Sequence, residues 1–224
     1  MTNTPFPLAT SFPGAPRLLK AGLVQVDPVT NAVLRIIALQ YNPETLSRSL
    51  QVQGVQEGGE RSQALRLTGP PQETYTLEAI IDATDQLERQ AGSETVRQYG
   101  ILPQLAALEA ILYPPSGRLV RNNSLASAGT LEIIPAESPL LIFVWSSSRT
   151  LPVRLTEFSV TEERFNPNLT PIRAKVNLTL RVLSVNDLGF DHRGGNLYLD
   201  YHRQIERLAA LSRGSMRALG ITGF

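Results

Sequence analysis

The sequence predicts an α+β chain that is mainly β: antiparallel strands around a core, a helix packed on them, and a helical C-terminal tail. Three observations carry this. Ile172, Ala174, Val176, Leu178, Leu180 and Val182 alternate with Arg173, Lys175, Asn177, Thr179 and Arg181, the period-two pattern of a strand with one aliphatic and one polar face. Tyr75, Leu77, Ala79 and Ile81 share a face in the same way. Between these strands, Leu105, Leu108, Ile111 and Leu112 recur at helical spacing. With 224 residues, 42% of them hydrophobic, the chain can fill one sizeable core or at most two small ones.

The elements follow in order. Residues 1–17 carry Pro5, Pro7, Pro13, Gly14 and Pro16 and read as an extended arm, because proline fixes φ and removes backbone donors. Leu19 to Gln25 and Val33 to Tyr41 read as a hairpin closed by the turn Asp27-Pro28-Val29-Thr30-Asn31. Leu46, Arg48, Leu50 and Val52 mark a weaker third strand, and residues 53–63 a polar loop. Leu65 to Thr68 end at the firm break Gly69-Pro70-Pro71, ahead of the strand around Tyr75 to Ala83. A central helix is expected over 94–112, ended by Pro114-Pro115-Ser116-Gly117. Thr130 to Ile134 and Leu140 to Trp145 read as strands, the latter apolar on both faces and so covered on both sides. Val153 and Leu155 share one parity and Phe158 and Val160 the other, which fits either a β-bulge near Thr156-Glu157 or a simple shift of register. The strand 172–182 spans roughly 30 Å or more at ~3.3 Å per residue. The domain is expected over 18–185. Residues 186–224 form a loop and a helical tail from Tyr198 to about Leu219, with Tyr198, Tyr201, Ile205, Leu208 and Leu211 in one stripe.

Chemistry is sparse. There is no cysteine, which excludes disulfides, thiolate catalysis and Cys-ligated metals. Of the two histidines, His192 lies in a Gly-rich loop and His202 four residues before Glu206; neither has the nucleophile and orienting acid that base catalysis needs. Asp187, Asp191 and His192 cluster without the alternate spacing of a calcium loop. Neither a GxxxxGK[ST] nor a GxGxxG phosphate cradle occurs. No catalytic, metal or cofactor residue is therefore assigned. Twenty-one basic against twenty acidic residues give a net charge of +1, which argues against nucleic-acid or membrane binding driven by overall charge. The basic strand 172–182 carries no aromatic on which a base would stack. No apolar run approaches the ~18–20 residues that span a bilayer, and the N-terminus does not read as a secretory signal. All basic residues but Lys20 and Lys175 are arginines, a bias that fits either a GC-rich genome or interface use, where arginine is favoured.

Three stretches resemble the tube-like domain of tube and baseplate-hub proteins of contractile injection systems, which are phage-tail-like particles. They are Leu39-Gln40-Tyr41-Asn42-Pro43-Glu44; Leu77 to Ala83 followed by Gly100 to Glu109; and Pro139 to Trp145 with Val153 to Pro167 and Pro171 to Val176. In order and spacing they cover about residues 18–185. The resemblance implies a tail-tube-like antiparallel β-barrel or sandwich with a packed helix, closed by six copies into a ring around a channel. It implies a structural, non-enzymatic subunit without cofactor, a tube-initiating or hub-to-tube adaptor layer of the baseplate. Its partners would be further copies, a spike or hub protein below, the inner tube above, and baseplate wedge or sheath proteins, with assembly in the cytoplasm and no membrane insertion. Longer members carry a C-terminal LysM-like module, whereas this chain has a loop and helical tail after Val185. The interaction candidates are the polar face of Arg173, Lys175, Asn177, Thr179 and Arg181, and Tyr198, Tyr201 and Arg203 on the tail. A monomeric small-ligand-binding barrel and a hydrolase with unrecognised carboxylates are the alternatives.

Overall fold

The computed structural model describes residues 19–54, 66–88, 94–127, 129, 138–212, 214 and 220. Its strands are β1 (Gly22–Val26), β2 (Val33–Ala38), β3 (Leu46–Gln51), β4 (Gln72–Asp82), β5 (Leu140–Ser146), β6 (Arg149–Phe165) and β7 (Pro171–Val182). Six helices accompany them among the described residues: α1 (Thr84–Glu88), α2 (Glu94–Tyr99), α3 (Leu102–Glu109), α4 (Ser116–Ser127), α5 (Val185–Leu188) and α6 (Arg193–Leu211). The strands make one antiparallel sheet in the order β2-β1-β5-β6-β7-β4-β3, so the mainly-β, antiparallel α+β class holds.

The hairpin β1–β2 forms because Asp27 organises its turn. The Asp27 carboxylate accepts from the backbone N–H of Val29 and Thr30 and from the Thr30 hydroxyl, at 2.7–3.0 Å. These bonds hold its pKa below the usual carboxylate range, the Thr30 backbone bond leading. Asn31 takes the left-handed conformation that completes the turn.

β6 is the strand on which the fold turns. Its first part pairs with β5, from Ser146↔Arg149 to Leu141↔Val153. From Val153↔Val182 onward it pairs with β7. Between them, Leu155 faces Leu180 and Glu157 faces Thr179, leaving Thr156 as the extra residue of a β-bulge. The Thr156 hydroxyl donates to the Thr179 carbonyl at 3.0 Å. The apolar parity therefore changes without any side chain leaving the core: Leu155 before the bulge and Phe158 and Val160 after it pack on one cluster.

That cluster draws Leu23 from β1, Phe143 from β5, Tyr75 and Leu77 from β4, Val176 and Leu180 from β7, Leu105 and Leu108 from α3, and Tyr198 and Tyr201 from α6. A second, smaller cluster of Val26, Leu140 and Ile142 lies under Leu188 and Leu197. β5 is thus apolar on both faces because both are covered, as its sequence predicts.

The expected barrel does not close. β2 and β3 are the two edges and do not pair with each other. Helical side chains complete the core instead, so strand closure is not needed to bury it. Beside this, the amide of Gln40 donates to the Asp82 carbonyl (2.6 Å) and accepts from the Asp82 N–H (2.8 Å), imitating a ladder rung between the end of the β1–β2 hairpin and the end of β4.

Other expectations are corrected. The single helix over 94–112 is two helices, because Gly100 breaks it at φ +56°. A Cβ there would run into the Pro171 carbonyl, which accepts from the Ile101 N–H at 3.0 Å. Leu112, expected on the core face, is exposed. α4 lies where no helix was expected. The C-terminal helix starts at Arg193, with His192 Nδ1 accepting the Gly194 N–H, and Leu208 and Leu211 at its far end are exposed. Leu67 makes only an isolated bridge with Gly54. The arm 1–17, most of the loop 53–63, the strand at Thr130 to Ile134 and most of the chain after Ser212 lie outside the described residues.

Candidate assembly surface

The polar face of β7 is built by register. Reading across β4, β7 and β6, its rows are Asp82–Arg173–Arg164, Ile80–Lys175–Thr161, Glu78–Asn177–Ser159, Thr76–Thr179–Glu157 and Thr74–Arg181–Arg154. Two rows set arginine directly opposite arginine, which is destabilising unless each charge is offset. They are offset. Arg173 bonds Glu163 (3.0 Å) and Asp82 (3.2 Å), and Arg181 bonds Asp187 at the N-terminus of α5 (2.6 Å). Lys175 reaches the other Glu163 oxygen at 3.1 Å. Thr179 donates to Glu157 (3.1 Å) and Asn177 to Ser159 (3.4 Å). Every candidate residue on this strand therefore has a partner within the chain. The face is polar and mixed in sign, and Arg181 Nε on it is buried without a hydrogen-bond partner among the described residues.

Electrostatics follow the same pairs. The Lys175 hydrogen bond, then Arg173, holds Glu163 below the usual carboxylate range. Burial pushes Asp82 upward, but bonds from Thr84 and the charge of Arg173 outweigh it and the net shift is downward.

The tail candidates divide. Tyr198 and Tyr201 are buried in the core, and Tyr198 stacks on His202 with ring centroids 6.4 Å apart. Arg203 is exposed, pairs with Asp200 at 2.9 Å, and lines an open hollow of about 270 Å³ with Ser147, Ser148, Gln204 and Arg207. The structure does not bring Arg203 to the β7 face.

Sequence reasoning missed the partners of Tyr201. Its hydroxyl donates to Glu73 at 3.0 Å and lies 3.1 Å from the Tyr75 hydroxyl. Arg48 Nε bonds the same Glu73 oxygen at 2.5 Å, and its guanidinium sits about 6 Å over both tyrosine rings. Glu73 is 4% exposed; such a charge is tolerated because it is paired and hydrogen-bonded. Burial pushes both phenols above their ordinary range. The signal was available: Glu73 continues the apolar parity of Tyr75, Leu77 and Ala79 backward by one step.

The outer strands complete the picture. On β2, Val33, Leu34 and Ile36 are all more than half exposed, and on the opposite edge Leu50 and Val52 are exposed. Among the described residues the two sheet edges are unpaired and carry exposed apolar side chains, a surface open to joining. Among the described residues no group of acidic or histidine side chains could hold a metal ion, and no helix is long and apolar enough to cross a membrane.

The class is that of a structural assembly subunit. Residues 24–187 match the family of contractile injection system tube proteins; the chain belongs to that family. It is a structural component of a phage-tail-like tube. No curated protein matches the chain. Among solved structures it is similar to a chain in the tail of an empty GTA particle, a tail refined with helical and C6 symmetry. The two are 10% identical, the match covers 72% of this chain and 90% of that chain, and the TM-score is 0.28. At that score the likeness assigns nothing to this chain.

Proposed function

We propose that the chain forms a six-membered ring that initiates the tube or adapts the hub to it within the baseplate. Its neighbours would be a spike or hub protein below and the inner tube above, with wedge or sheath proteins at the periphery. Assembly takes place in the cytoplasm, and the ring travels with the inner tube when the sheath contracts. The role is mechanical, and no step of it is catalytic. The observation that carries this is the pair of sheet edges, β2 and β3, left open among the described residues, which a ring would protect. The residues Arg173, Lys175, Asn177, Thr179 and Arg181 then face the lumen or the neighbouring copy, and the acids paired with Arg173, Lys175 and Arg181 make that wall less adhesive to passing cargo. Tyr198 and Tyr201 fix the tail, and Arg203 lies on its partner-facing side.

Light scattering of the purified chain, alone and with its spike–hub partner, tests the proposal. A hexamer in either condition is the expected result. A monomer in both, with no ring on the partner by electron microscopy, would overturn it.

A further inference from the structure

Among the described residues, no core of its own copy explains why α4 is a helix. Among its twelve residues none is buried. Its interior holds Val120, Asn122 and Asn123, poor helix formers, and isolated helices of ~12 residues are marginal in water even for alanine-rich sequences. Such a helix needs a surface to lie on. It is also set apart chemically. From Pro114 to Gly129 the only charges are Arg118 and Arg121, and Leu119, Val120 and Leu125 are exposed on it. The stiff pair Pro114-Pro115 spaces it from the preceding helices.

The complementary surface is present on the same chain. From Thr84 to Tyr113, the sequence carries Asp85, Glu88, Glu94 and Glu109 against Arg89 and Arg97. Of these, Asp85, Glu94 and Arg97 are exposed and Glu109 is half-buried. Tyr99 and Leu102, where α2 meets α3, and Leu112 and Tyr113, just past α3, are exposed apolar side chains. The charges visible on this α1–α3 surface are net acidic, with Asp85, Glu94 and Glu109 against Arg97, where α4 carries only Arg118 and Arg121.

We infer that α4 of one copy docks on the α1–α3 shelf of the next. The contact is head-to-tail, joining two different patches, and so can propagate around a ring. Exposed apolar side chains supply the attraction, and Arg118 and Arg121 against Glu94 and its neighbours set the direction. This rests on the ring reading but names a contact that the sheet edges do not.

The chain has no cysteine, so single introduced thiols report unambiguously. Full-length Val120→Cys and Leu102→Cys variants are mixed, assembled and treated with a short bis-maleimide. The expected product is a cross-linked dimer in the mixture, with none from Val120→Cys alone. Arg118→Glu with Arg121→Glu is expected to lower the assembled fraction about tenfold, and adding Glu94→Arg to restore part of it. If both thiol variants assemble as wild type does and no mixed dimer forms, the α4 contact is wrong while the ring stands. If the wild type never assembles, alone or on its hub partner, the ring reading fails and this contact with it.

Discussion

The Tyr201 hydroxyl of α6 donates to Glu73 of β4 across 3.0 Å, in a pocket where Glu73 is almost wholly buried. One hydrogen bond thus ties the C-terminal helix to the sheet 128 residues earlier in the chain. Arg48 on the edge strand bonds the same carboxylate, so edge strand, inner strand and helix meet on a single oxygen. Removing one member leaves the others desolvated and short of a partner. Tyr201→Phe is expected to cost about 1–3 kcal/mol, the range for leaving a buried polar group unsatisfied. Glu73→Ala is expected to cost more, since it strands Arg48 as well. Urea unfolding of both variants measures this; equal stability of Tyr201→Phe and wild type would show that the hydroxyl contributes nothing.

The bulge at Thr156 makes an unusual forecast about chain length. Leu155 and Phe158, three residues apart, both point into the core because Thr156 is extra. Deleting Thr156 restores simple alternation, with Leu155 and Phe158 two apart. The deletion is expected to leave a folded chain that loses the bulge's local bend and the bond to Thr179. Inserting one residue between Glu157 and Phe158 is expected to be far worse, because it slips Phe158 and Val160 to the polar face. Circular dichroism and thermal midpoints distinguish the two. Equal damage from deletion and insertion would contradict the register.

Gly100 gives a sharper local test. Its φ of +56° lies in the region that costs a residue with a Cβ about 1–2 kcal/mol. The Pro171 carbonyl closes the space a Cβ would need. Gly100→Ala is therefore expected to destabilise by more than about 2 kcal/mol, the strain and the clash adding. A matched Gly214→Ala, where nothing lies within reach of a Cβ, is the control. If the two substitutions have the same effect on the unfolding midpoint, the break between α2 and α3 is not what Gly100 enforces.

What the chain shows of its fold before folding divides along physical lines. The strands β4, β5 and β7 are legible because burial on one or both faces imposes a period-two or continuous apolar pattern on neighbouring residues. The bulge is legible for the same reason, as a slip of that pattern. The break at Gly100 is not, because the helical spacing of Leu105 and Leu108 continues the text on one side of it, and the obstacle, Pro171, lies seventy-one positions away. α4 is invisible because its apolar residues face no core of their own chain. The Glu73 site fails differently: Tyr198 and Tyr201 stand out as surface candidates, but their partners come from strands that only tertiary contact brings near. The β7 polar residues are where the alternation puts them, while the acids that neutralise them come from β4, β6 and α5.

The β7 face should make stability sensitive to acid. Asp82 and Glu163 both titrate below ordinary carboxylates. A carboxyl whose folded pKa is depressed contributes stability that is present above its unfolded value and lost as pH falls through the folded one. Stability is thus expected to hold from pH 7 to about 5 and to decline below about 4, where free carboxylates begin to protonate. Arg173→Gln removes the cation shared by both acids, so its decline is expected to be shallower as well as its plateau lower. Urea midpoints at a series of pH values measure both slopes; identical slopes in variant and wild type would take Arg173 out of the account.

Reversing charge on the same strand separates its two roles. In Arg173→Glu, Arg181→Glu, each new carboxylate meets the acids that formerly paired with the arginine: Asp82 and Glu163 at one end, Asp187 at the other. The variant also relieves the arginine–arginine oppositions with Arg164 and Arg154. On the exposed sheet these terms are each worth roughly 0.2–1 kcal/mol, so the monomer is expected to stay folded within about 2 kcal/mol of wild type. Any large effect must then come from assembly. A ring that presents this face to its neighbour or its lumen is expected to assemble poorly or to pass cargo less well, because six copies bring their reversed charges together. Ring formation by light scattering and cargo delivery by intact particles are the two readouts. If both match wild type while the monomer is equally stable, the β7 face is neither lumen nor interface, and its paired charges serve only to keep an outward surface soluble.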